Sequence, residues 1–142
     1  MKAISIQQPF AHLIVAVGEK RVENRNQWNY PHRGPLLIHA AKSKRRLMPA
    51  DERKYPDMAM GAIVGIAELV TVMSIERIRA VPLPPELAWL ATHKHTEGPR
   101  CLVLRNVCRL AKPIPYRGYL GLFDVPDDLL AGANWIKTPI VG

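Results

Sequence analysis

Phe10, Leu13, Ile14 and Val17 fall at i, i+3, i+4 and i+7, an apolar stripe that predicts a short amphipathic helix over residues 9–17, with Pro9 at its first position. Gly18 follows as the residue that ends it, since glycine takes the positive φ that turns a chain out of a helix. Elsewhere the apolar pattern has the period of strands. Strands are predicted at residues 2–5, 21–25, 35–41, 62–72, 100–110 and 120–125. An aromatic loop (27–32), a basic helical or irregular segment (42–54, broken at Pro49), a helix around 85–92 and one helical turn at Asp127-Asp128 complete the order. Within the long strand, period-two counting puts Val64, Ile66, Glu68, Val70 and Val72 on one face, so Glu68 is an acid in an apolar row. Short strands outnumber helices and do not alternate with them as βαβα. That pattern implies an α+β fold, a small curled mixed sheet with helices at its rim.

The chain has 142 residues, 48% of them hydrophobic, enough for one domain with a real core. There is no internal repeat and no domain boundary, and the thirteen prolines sit mainly between the predicted elements. The N-terminus runs directly into the first strand without a secretory signal, so a cytoplasmic location is expected. The longest apolar run, 58–73, is interrupted by Glu68 and falls short of the ~20 residues of a membrane span, which makes it a buried strand and gives no membrane partner. Cys101 and Cys108 share one predicted strand and would lie roughly 23 Å apart, too far for a disulfide. They form no zinc-type pair, and His93 and His95 read as solvated residues of a polar loop. Neither a metal nor a cofactor is expected.

Charge changes the picture more than composition does. The net charge is +8, yet residues 18–54 hold ten of the twenty Lys and Arg against four acids, a surplus of six, and the rest of the chain contributes two. One face is therefore basic, and a clustered positive field favours phosphate-rich partners.

The densest part is Gly18-Glu19-Lys20-Arg21-Val22-Glu23-Asn24-Arg25. On a strand, Glu23 and Arg25 share one face, either as an ion pair that shapes a pocket or as groups that act on a ligand. Glu68, if buried, requires a cation, a raised pKa or an opening cleft, and Lys20 and Arg25 are the candidates. Trp28 and Tyr30 in a basic loop would suit base stacking or else cover the mouth of the barrel. Arg33, Lys42, Lys44, Arg45 and Arg46 are candidate phosphate contacts. His39 reads as a hydrogen-bonded core histidine, while Tyr116, Arg117 and Tyr119 border Gly118 and either line the same cleft or pack a turn.

The spacing Gly-x-Lys-x-x-Glu-x-Arg resembles the signature of the ASCH domain, named for homology to the activating signal cointegrator. Further segments resemble the family in order: Gln8-Pro9-Phe10-Ala11 before the octet, His32-Arg33-Gly34-Pro35-Leu36-Leu37-Ile38-His39-Ala40-Ala41-Lys42 after it, and Pro113 to Gly118 leading into Leu120-Gly121-Leu122-Phe123, similar to bacterial and phage members. The resemblance implies a PUA-like pseudobarrel of about six strands. A branch similar in its Lys and Arg positions, the bacterial acetylcytidine amidohydrolases, uses a lysine and threonine of the signature with a later glutamate. Lys20 and Glu68 match the lysine and glutamate; Glu23 stands in the threonine's place, where it could help activate a water as general base.

Together these readings imply a single-domain monomer that binds RNA, other single-stranded nucleic acid or a modified nucleotide through Lys20, Arg25, Trp28, Tyr30, Arg33, Lys42, Lys44, Arg45, Arg46 and Arg117. Two alternatives stay open. One is a hydrolase of RNA or an acylated nucleoside, with Lys20, Glu23 and Glu68 catalytic; the other is an adaptor that contacts a protein.

Overall fold

The computed structural model describes residues 1–80 and 82–141. Seven strands make one mixed sheet in the order β2-β5-β4-β3-β1-β6, with β7 on β5, curled into a half-barrel. The strands are β1 (Lys2–Ile6), β2 (Val22–Arg25), β3 (Gly34–Ala40), β4 (Ala62–Ser74), β5 (Arg100–Pro115), β6 (Leu122–Asp124) and β7 (Trp135–Lys137). Among the described residues only β1 and β3 run parallel, with Ser5 opposite His39; the other pairs are antiparallel.

The amphipathic helix forms as α1 (Phe10–His12) and continues in a π-helical turn (Leu13–Val17). Ala11, Ile14 and Val15 enter the main core beside Ile4, Leu36, Ile38, Leu69, Leu102 and Leu104, whereas Phe10 and Val17 of the predicted stripe are only partly buried, because the π turn does not keep the 3.6-residue period. Gly18 stops it at φ 80°, and its N–H bonds back to the Leu13 carbonyl at 3.0 Å. A Cβ there would lie 1.8 Å from the Pro139 carbonyl oxygen, so glycine is required twice over. The C-terminal tail is tied to the same turn by the Thr138 hydroxyl, which donates to the Val15 carbonyl.

Two further cores flank the first. Ala3, Leu37, Ile63 and Leu110 pack with Phe123 and Val125 on one side, and Val22, Met73, Ile78, Leu90 and Val103 on the other. Ile78 belongs to α3 (Ile75–Ala80), a helix the pattern did not predict. Its cue was Ser74, whose hydroxyl accepts the Arg77 N–H at 3.2 Å as an N-terminal cap does. The short β7 was also unforeseen, because three residues carry too little period to read. Strand β5 runs five residues past the expected Leu110, with Ile114 and Pro115 paired to Ile63 and Ala62. Pro49 starts α2 (Pro49–Lys54) rather than breaking a helix; its missing N–H costs nothing in the first turn. Short 3₁₀ turns occupy Pro85–Ala91 and Asp127–Leu130.

The period-two count in β4 requires correction. Ile38 pairs Gly65 whereas His39 pairs Ile63, so Val64 is one extra residue on β4 and the facing parity switches there. Beyond the bulge Ala67 and Leu69 enter the main core, and Ile66, Glu68 and Val70 take the less buried side. Glu68 therefore does not stand in a buried row.

Candidate functional site

The turn at Gly18 carries the chain into β2 so that Lys20 is almost wholly buried, at 4% exposure. Its ammonium lies 5.3 Å over the Phe10 ring and 3.6 Å from Glu23 Oε1, an ion-pair distance too long for a hydrogen bond. Alternation along β2 puts Glu23 and Arg25 on a common face, where Arg25 Nε donates to Glu23 Oε2 at 3.1 Å. Arg25 Nη2 also donates to the Ser5 carbonyl at 2.9 Å, which ties β2 to β1 across the opening between them. The trio of two cations and one carboxylate has a net charge of +1.

Asn24, the residue between them, fastens the neighbouring loop. Its side-chain oxygen accepts the Glu97 and Gly98 N–H groups at 3.0 and 2.8 Å, and its amide donates to the His95 carbonyl at 2.8 Å. Sequence reasoning passed over it, although an Asn that serves three backbone groups is a common loop anchor. Nor are His93 and His95 solvated. His93 Nε2 accepts the Arg21 N–H at 3.1 Å, and His95 Nε2 lies 2.9 Å from Glu19 Oε2. Burial first, and then the charges of His95, Arg21 and Lys20, push the His93 imidazole down to about 4. The hydrogen bond from His95 holds the Glu19 carboxyl below its usual range.

The trio opens into a cleft of about 1270 Å³ between β2, the first strand pair and the loop after β5. Lys20, Arg25, Lys42, Arg46 and Arg117 line it against Glu23 and Glu97. Phe10, Tyr116 and Tyr119 supply its aromatic surface, with Leu120, 99% exposed, at the rim. Ser5 and His39 also face it. His39 is hydrogen-bonded and 1% exposed, as a core histidine should be, yet it borders the cleft as well. Tyr116, Arg117 and Tyr119 line the cleft rather than merely packing a turn.

Several expected residues lie elsewhere. Glu68 is not in the cleft: Arg105 Nε and Asn106 Nδ2 each donate to its carboxylate at 3.0 Å, and these bonds hold the Glu68 carboxyl below its usual range. The expected meeting of Lys20 and Glu68 is thus replaced by two separate ion pairs. Trp28 packs against the main core. Tyr30 touches it edge-on, with ring centroids 4.9 Å apart, and abuts Gly121 at the cleft rim. Neither ring lines the cleft: Trp28 is turned onto the core, and Tyr30 lies exposed against it. Arg33 is spent on the carbonyls of Tyr30 and His32, and Lys44 lies 3.9 Å from Glu52. Arg45 is exposed outside the cleft. Among the described residues no three His, Cys, Asp or Glu gather as metal ligands, and no helix is long and apolar enough to cross a membrane.

A profile of the ASCH domain matches residues 4–125, the span from β1 to the end of β6 that encloses the whole cleft. The chain belongs to the ASCH domain family. Its fold is similar to the crystal structure of ASCH from Zymomonas mobilis, at 16% identity and TM-score 0.57 over 95% of this chain and 96% of that one. Two single-residue mutants of the same Zymomonas mobilis protein match alike. One is 16% identical with TM-score 0.57, covering 94% of this chain and 98% of the other. The second is 18% identical with TM-score 0.58, covering 94% and 96%. No curated protein sequence matches significantly. At such identities the likeness of this ASCH domain to those structures is one of fold.

Proposed function

We propose that the cleft binds the phosphate backbone of single-stranded nucleic acid, RNA foremost, or a nucleotide derived from it. The observation that carries this reading is the Lys20 ammonium, 4% exposed and 3.6 Å from the nearest carboxylate oxygen, with N–H donors left over for a ligand. A cation removed from water needs an anion in hydrogen-bond reach, and Glu23 is shared with Arg25. A phosphate oxygen would supply that anion. Five cations against two acids give the whole cleft the same preference, and Phe10, Tyr116 and Tyr119 offer faces on which bases can stack. The family agrees with this reading, since ASCH is a PUA-like fold often linked to RNA binding.

The test is fluorescence anisotropy with a labelled single-stranded RNA, its DNA counterpart and a duplex. Retention of the single strands should weaken steeply with salt, and Lys20→Ala should lower affinity at least tenfold. Absence of binding at low salt, or a Lys20→Ala variant that binds as wild type, sinks the reading.

A further inference from the structure

Ser5 and His39 are register partners on the parallel strands β1 and β3, and Ser5 Oγ lies 2.9 Å from His39 Nδ1. The other ring nitrogen, Nε2, is 2.6 Å from the Tyr116 carbonyl oxygen. A carbonyl can only accept, so Nε2 carries the ring proton and Nδ1 is left with a lone pair. The hydroxyl proton of Ser5 must therefore point at Nδ1. A nucleophile bonded to a base whose tautomer is set by a third group is the arrangement that activates serine for acyl transfer.

The surroundings suit that role. Ser5 is half-buried and lines the cleft, with the imidazole buried behind it at 1% exposure. Burial pushes His39 below the usual histidine range, against the opposing effect of its bond to Tyr116, so the ring is an unprotonated base at neutral pH. The residue that faces both partners is Gly118. A Cβ there would lie 3.0 Å from Ser5 Oγ and 2.7 Å from His39 Cε1, so glycine leaves open the space beside the hydroxyl that any side chain would fill. Arg25, bonded to the Ser5 carbonyl, puts a cation on the same wall of the cleft.

We propose that Ser5 and His39 form a nucleophile–base pair that hydrolyses a carboxylic ester of a phosphate-bearing alcohol held in the cleft. Ser5 Oγ bonds to the ester carbonyl carbon as its proton passes to His39 Nδ1. The carbon–oxygen bond to the alcohol then breaks, and the alcohol oxygen takes that proton. Water attacks the acyl-serine, giving a proton to Nδ1, which returns it to Oγ as the acyl–serine bond breaks and the carboxylic acid leaves. The phosphate-bearing character of the substrate rests on the binding function proposed above; the serine–histidine chemistry does not.

The test uses probes that carry no phosphate anion and no base. The whole protein is treated with an alkyl fluorophosphonate and analysed by intact mass and peptide mapping, and in parallel with 4-nitrophenyl acetate. One adduct per chain on Ser5, a burst of one nitrophenolate per chain, loss of both in Ser5→Ala and labelling at least 100-fold slower in His39→Gln are expected. Ser5→Ala keeps the outcome readable if His39→Gln does not fold. A wild-type protein left unlabelled under conditions that fully label a serine esterase, or an adduct that persists in Ser5→Ala, overturns the proposal and leaves the pair a structural cross-strand bond. Oligonucleotide binding is measured on the same sample. Binding without labelling defeats only the serine–histidine chemistry, and labelling without binding defeats only the phosphate reading.

Discussion

Lys20 and Glu23 are buried together at 4% and 9% exposure, with 3.6 Å between the ammonium and the nearer carboxylate oxygen. The carboxylate's other oxygen is taken by Arg25, so one acid holds two cations in place at the wall of the cleft. Charge balance within this trio underlies both the stability of β2 and the preference of the cleft for an anion.

Glu23→Gln removes the only carboxylate of the trio and leaves Lys20 buried without a counter-charge. Breaking a buried pair from one side leaves a desolvated charge, at a cost of about 3 kcal/mol. Urea denaturation should show a lower midpoint with an unchanged m-value. Inorganic phosphate should recover part of that loss, because it supplies the missing anion.

Glu68→Gln tests the site from outside. Its partners Arg105 and Asn106 lie away from the cleft, so RNA affinity should stay within twofold of wild type. A drop comparable to that of Lys20→Ala in anisotropy titrations would show that Glu68 serves the same ligand as Lys20.

The basic segment after β3 divides in two. Lys42 and Arg46 line the cleft, whereas Lys44 is engaged with Glu52 and Arg45 points elsewhere. Each phosphate contact adds about 0.7 to the salt slope for a single strand. Lys42→Ala with Arg46→Ala should thus flatten a plot of log affinity against log salt by about 1.4, and Lys44→Ala with Arg45→Ala should change it by less than half of that.

His93 gives the fold an acid-sensitive point. Its folded value of about 4 lies below its ordinary 6.5, so between those limits the unfolded chain binds the extra proton. Stability therefore rises with pH across that window and falls on acidification, levelling off only below about 4, where both states are protonated. Since His93 is only partly buried, solvent screening reduces the effect to on the order of 1 kcal/mol. His93→Gln should flatten the stability curve between pH 4 and 6.5, as thermal melts across that range would show.

Much of the fold could be read in the residues because local signals and burial agreed there. The i, i+3, i+4, i+7 stripe specified the first helix, Gly18 its end, and the alternation in β2 the common face of Glu23 and Arg25. The α+β class and the mixed sheet followed from the order of elements. Lys20, Glu23 and Arg25 of the octet meet at one wall of the cleft, since they are close in sequence and need only a turn and a strand to do so.

Other relationships depend on contacts that a linear pattern does not encode. One extra residue at Val64 reversed the facing of Glu68, because strand parity has no memory across a bulge. Trp28 and Tyr30 looked like stacking rings, but the packing of a loop against the sheet, not its composition, decides which way aromatic side chains turn. Ser5, His39 and Tyr116 come from three separate stretches, brought together by a parallel strand pair and the chain's return after β5. Sequence alone determined the class of fold, the position of the basic wall and the sign of its charge, which are sums over local residues. The tertiary structure decided which charges pair, which rings line the cleft and which hydroxyl meets a base, because each of those requires a distance between residues far apart along the chain.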